Sequence, residues 1–203
     1  METATQDALT LDPATHIYKW QGKPVYGVTS IFKAHGMIYP GSPDDLARGR
    51  IVHTACHYLD EDDLAWEPGL DPYKGYIEAW KAFRSRMGLT RESFLDIETP
   101  RYSELYAFAG TLDRRVLIMG YEWIIDIKTG KAPKWGGLQT AAYDLLLPTP
   151  AANGLRRRAC VELRADGTYN FVEHENYSDA EEFLTLLSAH RILRRHNARN
   201  YRD

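Results

Sequence analysis

The run Tyr121-Glu-Trp-Ile-Ile-Asp-Ile-Lys-Thr129 most constrains what this chain can fold into. It reads as an apolar strand, yet it carries Asp126 and Lys128, and unpaired charges in apolar surroundings are costly. Upstream, Ala107 to Ile118 reads as a second strand, with Met119-Gly120 between the two. If Met119-Gly120 is a two-residue hairpin loop, Asp113 stands opposite Asp126, with Cβ atoms roughly 4.5–5.5 Å apart. Shifting the loop to Gly120-Tyr121 pairs Asp113 with Lys128 instead. Lys128 lies two residues beyond Asp126, so either register keeps all three side chains on one face. A one-residue slip would separate them.

The remaining elements follow from local patterns. His16 to Trp20 and Pro24 to Val28 flank a Gly-containing turn and predict a hairpin. Thr29 or Ser30 is the expected cap of a short helix through Ile31, Phe32 and Ala34. Ser42-Pro43-Asp44-Asp45 opens a helix running to about Tyr58 and carrying His53. Asp71-Pro72 opens another, whose stripe Tyr73, Tyr76, Ile77, Trp80, Phe83 and Met87 is read as core and which Gly88 stops. Phe94 to Tyr102 is a strand in which Pro100 marks an edge or the strand's end. Trp135 to Leu147 is a helix, and Arg157 to Arg164 with Tyr169 to Glu173 makes a second hairpin. Ser178 with Glu181 forms a capping box for the last helix. Strand, helix and strand over 121–164 make a βαβ unit with parallel strands. The fold class expected is α/β, a central mixed β-sheet flanked by α-helices.

The 203 residues suit one domain spanning 1–203, with a frayed polar segment 1–12 and a basic C-terminal helix over 178–203. Hydrophobic residues at 44% and charged residues at 26% exclude wholesale disorder. No apolar run is long enough for a membrane span, and the start METATQDALTLD lacks an apolar signal region, so a cytoplasmic protein with no membrane partner is expected. Cys56 and Cys160 are read as two buried free thiols; they are too few for a disulfide framework or a Cys-rich zinc site. The net charge of −3 does not advertise a nucleic-acid binder, so any such contact must use local patches. The densest patch is Arg191, Arg194, Arg195, Arg199 and Arg202.

Two carboxylates as close as Asp113 and Asp126 repel unless a cation neutralises them. Oxygen ligands suit Mg2+, with Mn2+ as a substitute, better than zinc. The competing reading is a structural Asp–Lys ion pair. Gln139 and Tyr143 share a helical face, where Gln can bond a phosphate and Tyr can stack on a sugar or base. His53 and His57 could pair on zinc, but no Glu stands between them in a His-Glu-x-x-His pattern and no third ligand is apparent.

Taken together, Gly49…His53, Gly110-Thr111-x-Asp113, Asp126-x-Lys128 and Gln139-x-x-x-Tyr143 resemble the PD-(D/E)XK nuclease superfamily, in its RecB-like and phage exonuclease branch. His16-x-Tyr18 and Gly27-Val28-Thr29-Ser30-Ile31 resemble the opening of phage-encoded members. The resemblance spans about residues 16–145. It implies a restriction-endonuclease-like core in which Asp113 and Asp126 ligate the metal with the Ile127 carbonyl and His53. It further implies Lys128 as the catalytic lysine, Gln139, Tyr143 and Thr129 as substrate-binding residues, and Glu98 as a supporting acid near the metal. The second acid is Asp where many relatives carry Glu, the cysteines of cluster-bearing relatives are missing so no iron–sulfur cluster is expected, and there is no helicase P-loop.

The expected activity is Mg2+-dependent hydrolysis of DNA phosphodiesters, as an exonuclease in recombination, repair or replication of a phage-like system. A single-strand annealing recombinase is a plausible partner for such an enzyme. Three alternatives stand beside it: a structure- or site-specific endonuclease, a non-catalytic nucleic-acid-binding recombination protein, and an enzyme acting on nucleotides or another phosphate ester.

Overall fold

The computed structural model describes residues 8–39, 41–149 and 156–197. Its strands are β1 (Leu9–Asp12), β2 (Ile17–Trp20), β3 (Lys23–Gly27), β4 (Phe94–Ser103), β5 (Phe108–Ile118), β6 (Tyr121–Lys128), β7 (Arg157–Leu163) and β8 (Tyr169–Glu173). Its helices are α1 (Val28–Ala34), α2 (Pro43–Asp60), α3 (Lys74–Met87), α4 (Gly136–Asp144) and α5 (Asp179–Asn197). The strands form one mixed sheet in the order β1-β2-β3-β5-β6-β7-β8, with β4 also paired to β5. The fold is α/β, as the sequence pattern predicts.

Helices cover both faces of the sheet. One core joins Val52 and Cys56 of α2 and Trp80 and Phe83 of α3 to Ile125, Ile127 and Val161. The other joins Val28, Ile31 and Phe32 of α1, Ala142 of α4 and Phe183 and Leu187 of α5 to Leu112 and Ile124. Neighbouring residues of β6 thus pack against opposite layers, which explains an apolar run without polar alternation. β6 is antiparallel to β5 and parallel to β7, the βαβ arrangement expected over 121–164. Pro100 sits on β4, which among the described residues pairs only with β5, an edge position of the kind where a proline is tolerated.

The split in the sheet decides where chemistry can occur. β4 runs along one edge of β5 from Phe108 to Val116. The opposite edge is shared: β3 pairs at Phe108 and Ala109, and β6 pairs from Arg114 onward. Gly110 to Asp113 lie between these partners, where β3 and β6 diverge. Such a parting of neighbouring strands leaves a crevice at the sheet, the kind of place where α/β proteins bind ligands.

Several local expectations need correction. Leu9–Asp12 belongs not to a frayed end but to β1, paired with β2, and Asp12 Oδ1 accepts the Ala14 amide at 2.9 Å to close the turn. The rest of that segment, 1–7, lies outside the described residues. The cap of α1 is Gly27, two or three residues earlier than expected, because Ser30 Oγ accepts the Gly27 amide at 3.1 Å from inside the helix. Asp71-Pro72 falls in a 3₁₀ turn, Pro68–Tyr73, and α3 starts after it. Ser178 bonds Glu182 Oε1 at 2.7 Å, so Glu181 closes no capping box. In the C-terminal basic cluster, Arg191, Arg194 and Arg195 lie on α5, whereas Arg199 and Arg202 lie outside the described residues.

Candidate active site

The hairpin that sets the site turns at Met119 and Gly120, with φ of 50° and 80°. Positive φ at both loop positions gives the turn whose twist matches that of the flanking strands. Ile118 pairs with Tyr121 and Arg114 with Ile125, the register that sets Asp113 level with Asp126. The paired ladder ends at Arg114 and Ile125. One step further, Asp113 Oδ2 accepts the Ile127 amide at 2.8 Å, so the carboxylate itself satisfies a backbone donor where the strands part.

α2 delivers His53 to this point. The helix is anchored at its start by a reciprocal cap: Ser42 Oγ accepts the Asp45 amide at 3.2 Å, and Asp45 Oδ2 accepts the Ser42 amide at 2.8 Å. His53 Nε2 lies 3.0 Å from the Ile127 carbonyl, which can only accept, so this nitrogen carries a proton. Nδ1 lies 3.5 Å from Glu98 Oε1 and 3.6 Å from Asp113 Oδ2. Burial works against a charged imidazole here, but the Asp113 and Glu98 carboxylates carry the His53 pKa above its ordinary value.

Glu98 is level with Asp113, since its neighbours Ile97 and Thr99 pair with Arg114 and Leu112. It adopts a φ of 45°, a left-handed conformation that costs a residue with a Cβ about 1–3 kcal/mol. Its carboxylate accepts from Arg114 Nη1 at 3.0 Å. Arg114 is fully buried, and its Nε donates to the equally buried Asp60 Oδ2 at 2.5 Å. Asp60 is fixed in turn by the Trp80 indole at 2.8 Å. One atom each from His53, Glu98 and Asp113 lie within 4.8 Å of one another, a spacing that suits a metal ion. Burial, with the Asp126 and Glu98 charges adding to it and His53 opposing, pushes the Asp113 carboxyl up to about 7.

Asp126 and Lys128 form the adjoining half. They make a direct ion pair, and Cys160 Sγ approaches Asp126 Oδ2 at 3.5 Å. Asp126 is 1% exposed, and its other oxygen, Oδ1, is buried with no hydrogen-bond partner. A buried charged acceptor left unpaired is expensive, and a cation is the natural complement. Lys128 Nζ donates to Gln139 Oε1 at 3.2 Å and lies 4.7 Å from the centre of the Tyr39 ring. Burial disfavours its charge, but Asp126 more than offsets this and keeps the ammonium protonated well above its ordinary range. Gln139 Oε1 also accepts from Tyr39 Oη at 3.0 Å, while Gln139 Nε2 donates to Tyr143 Oη at 2.9 Å.

His53, Glu98, Asp113, Asp126, Lys128, Gln139 and Tyr143 therefore line one cavity of about 850 Å³. The Ile127 carbonyl is engaged by His53, so these two groups satisfy each other. Thr129 lies off the cavity wall, where its carbonyl accepts from Arg48 Nη2 at 3.0 Å. His57 lines the same cavity as His53, but it is not in the cluster with metal-ligand spacing. The Arg191, Arg194 and Arg195 patch does not line it.

No family model matches the sequence, and no curated protein matches it. Among solved structures, the chain is similar to a crystal structure from Eubacterium rectale named "Putative exonuclease", at 15% sequence identity and a TM-score of 0.46. The alignment covers 87% of this chain and 76% of that one. Function is therefore read from the geometry of the site itself. Sequence reasoning did not single out Tyr39, Arg114, Asp60 or Cys160 as parts of this site. Tyr39 sits in irregular chain before α2 and carries no periodic signal; the others become visible only when distant elements are packed together.

Proposed function

We propose that this protein is a metal-dependent nuclease that hydrolyses phosphodiester bonds of DNA, acting from strand ends. The observation that carries the reading is the shared cavity: the His53, Glu98 and Asp113 cluster beside an Asp126–Lys128 pair with an unpartnered buried oxygen. The donor set, carboxylate oxygens with one imidazole, fits Mg2+ or Mn2+, and no soft thiolate is exposed to compete. Asp113, Glu98 and His53 would hold the ion, and the unpartnered Asp126 Oδ1 is a further oxygen of the same cavity that a cation would complement. When bound, such an ion polarises a phosphoryl oxygen and lowers the pKa of an attacking water.

The chain's own residues would do the rest. Lys128, kept as an ammonium by Asp126, offsets charge growing on the phosphate and orients the water through its N–H groups. Gln139 and Tyr39 fix the Lys128 ammonium in place. Gln139 and Tyr143 provide hydrogen-bonding groups for the strand. The acting-from-ends preference comes from the RecB-like resemblance. The test is end-labelled linear DNA and a sealed circle, incubated with Mg2+ and with chelator. Loss of label only with Mg2+, with the circle preserved and with Asp126→Ala and Lys128→Ala inactive but folded, is the expected result. Cleavage in chelator, or wild-type rates in Lys128→Ala, would remove this assignment.

A further inference from the structure

We infer that the substrate entering this cavity is an unpaired DNA strand, held by stacking of its bases on aromatic walls, and not a double helix. The inference rests on the nuclease reading for the identity of the polymer. The choice of single strand over duplex comes from the shape, charge and chemistry of the cavity.

Depth comes first. Asp126 is 1% exposed, Gln139 3% and Tyr143 4%, so a scissile phosphate must pass well below the surface to meet them. A duplex carries its phosphates on a stiff helix beside a second strand, whereas a single strand can thread in alone. The cavity volume, about 850 Å³, lies within the range of clefts that enclose one drug-sized ligand. That is room for a short run of nucleotides.

Charge points the same way. Among the described residues, Arg50 and Lys128 are the only lysine or arginine on the walls, and Lys128 is already paired with Asp126. Duplex DNA carries one negative charge per about 1.7 Å of axis and is held largely by many such cations. The walls offer rings instead. Tyr58 is exposed on α2 beside His57, with ring centres 5.6 Å apart, and His16 is exposed beside Tyr18 at 5.7 Å. All four line the cavity, but Tyr18 is buried, so His16, His57 and Tyr58 are the accessible rings; Tyr39 stands nearer the Lys128 ammonium. Stacking on such rings contributes about 1–3 kcal/mol per base, and only unpaired bases are free to use it.

The test is binding of fluorescein-labelled single-stranded and blunt duplex DNA of one sequence to Lys128→Ala protein in Mn2+. The single strand is expected to bind at least tenfold more tightly, with a shallow salt dependence corresponding to about one or two phosphate contacts. Tyr58→Ala is expected to weaken single-strand binding about tenfold and Tyr58→Phe to leave it intact. Duplex binding as tight as single-strand binding, a salt dependence corresponding to six or more phosphates, or an unchanged Tyr58→Ala would each overturn the inference. Wild-type protein that binds a single strand in this way but cleaves no DNA in Mg2+ would instead sink the nuclease reading alone.

Discussion

Arg114 and Glu98 are joined directly beneath the site, Nη1 to Oε1 at 3.0 Å, although one side chain is fully buried and the other opens to the cavity. The guanidinium reaches three acceptors at once: Glu98, Asp60 and, at 2.6 Å, the Asp113 carbonyl. It thereby couples the hydrophobic layer under α2 and α3 to two of the acids that face His53. Asp60 and Glu98 keep this guanidinium charged although burial opposes it.

Replacing Arg114 with Met should cost about 3–5 kcal/mol in chemical denaturation, because the buried Asp60 loses its closest counter-ion and keeps only Arg84, whose Nε lies 3.4 Å from Oδ1. Arg114→Lys should fold better, but a point-like ammonium cannot hold three acceptors in the plane of the guanidinium. Mn2+ affinity of the Lys variant, measured by calorimetry, should then fall about 10–100-fold, as expected when a group orienting a metal ligand is lost. Unchanged affinity would show that Glu98 needs no such support.

Gly110 is tightly enclosed. A Cβ there would meet Leu146 Cδ1 and Val28 Cγ2 at 3.0 Å and Tyr143 Cε1 at 3.2 Å. Gly110→Ala should therefore destabilise by about 1–3 kcal/mol, the usual cost of overpacking a filled core. It should also displace the Tyr143 ring and with it the 2.9 Å bond from Gln139. Gly69→Ala, with nothing within 4 Å of the added carbon, is the control expected to stay near wild type. Equal melting temperatures for the two variants would contradict the packing described.

The cap of α2 gives a pH dependence. The Asp45 carboxyl is held at about 2, below its ordinary 3.8, by hydrogen bonds from Ser42 and Arg48. A carboxyl whose folded pKa is depressed contributes stability that is present above its unfolded value and is lost as pH falls through the folded one. The gap in melting temperature between wild type and Asp45→Asn should thus be constant above about pH 4 and shrink toward pH 2. A gap that grows on acidification would reverse the assignment. Since α2 carries His53, the same variant tests whether the cap also fixes the imidazole.

Much of this architecture is legible locally, and the reasons it is not entirely so are physical. The spacing allows two short loops, Met119-Gly120 or Gly120-Tyr121, either of which keeps Asp113, Asp126 and Lys128 on one face; the register that sets Asp113 level with Asp126 comes from the structure. The Ser42 cap and the Trp80 and Phe83 stripe are equally local. The split in the sheet is not, because it depends on β3 meeting β5 over only two residues, Tyr26–Phe108 and Gly27–Ala109, far apart in sequence. Glu98 illustrates the intermediate case: its strand is readable, but its left-handed φ and its partner Arg114 are consequences of packing. The convergence of His53 with Glu98 and Asp113, with Asp126 paired instead to Lys128, joins α2, β4 and β5, elements far apart in sequence.

That crowding of acids also sets function against stability. Asp113, pushed up to about 7 chiefly by burial and also by Asp126 and Glu98, is ionised at pH 8 at the expense of the fold. Asp113→Asn removes the charge while its amide oxygen can still accept the Ile127 N–H. In chelator at pH 8 it should therefore melt higher than wild type, by roughly 2–4 °C for each kcal/mol relieved. Excess Mn2+ should reverse the order. A ligand at a hundred times its dissociation constant stabilises the state it binds by about 2.7 kcal/mol, and the variant should forfeit most of this. Differential scanning fluorimetry with and without Mn2+ reads both halves. An Asn variant that melts lower in chelator and responds to Mn2+ like wild type would identify Asp113 as a structural acceptor and no ligand at all.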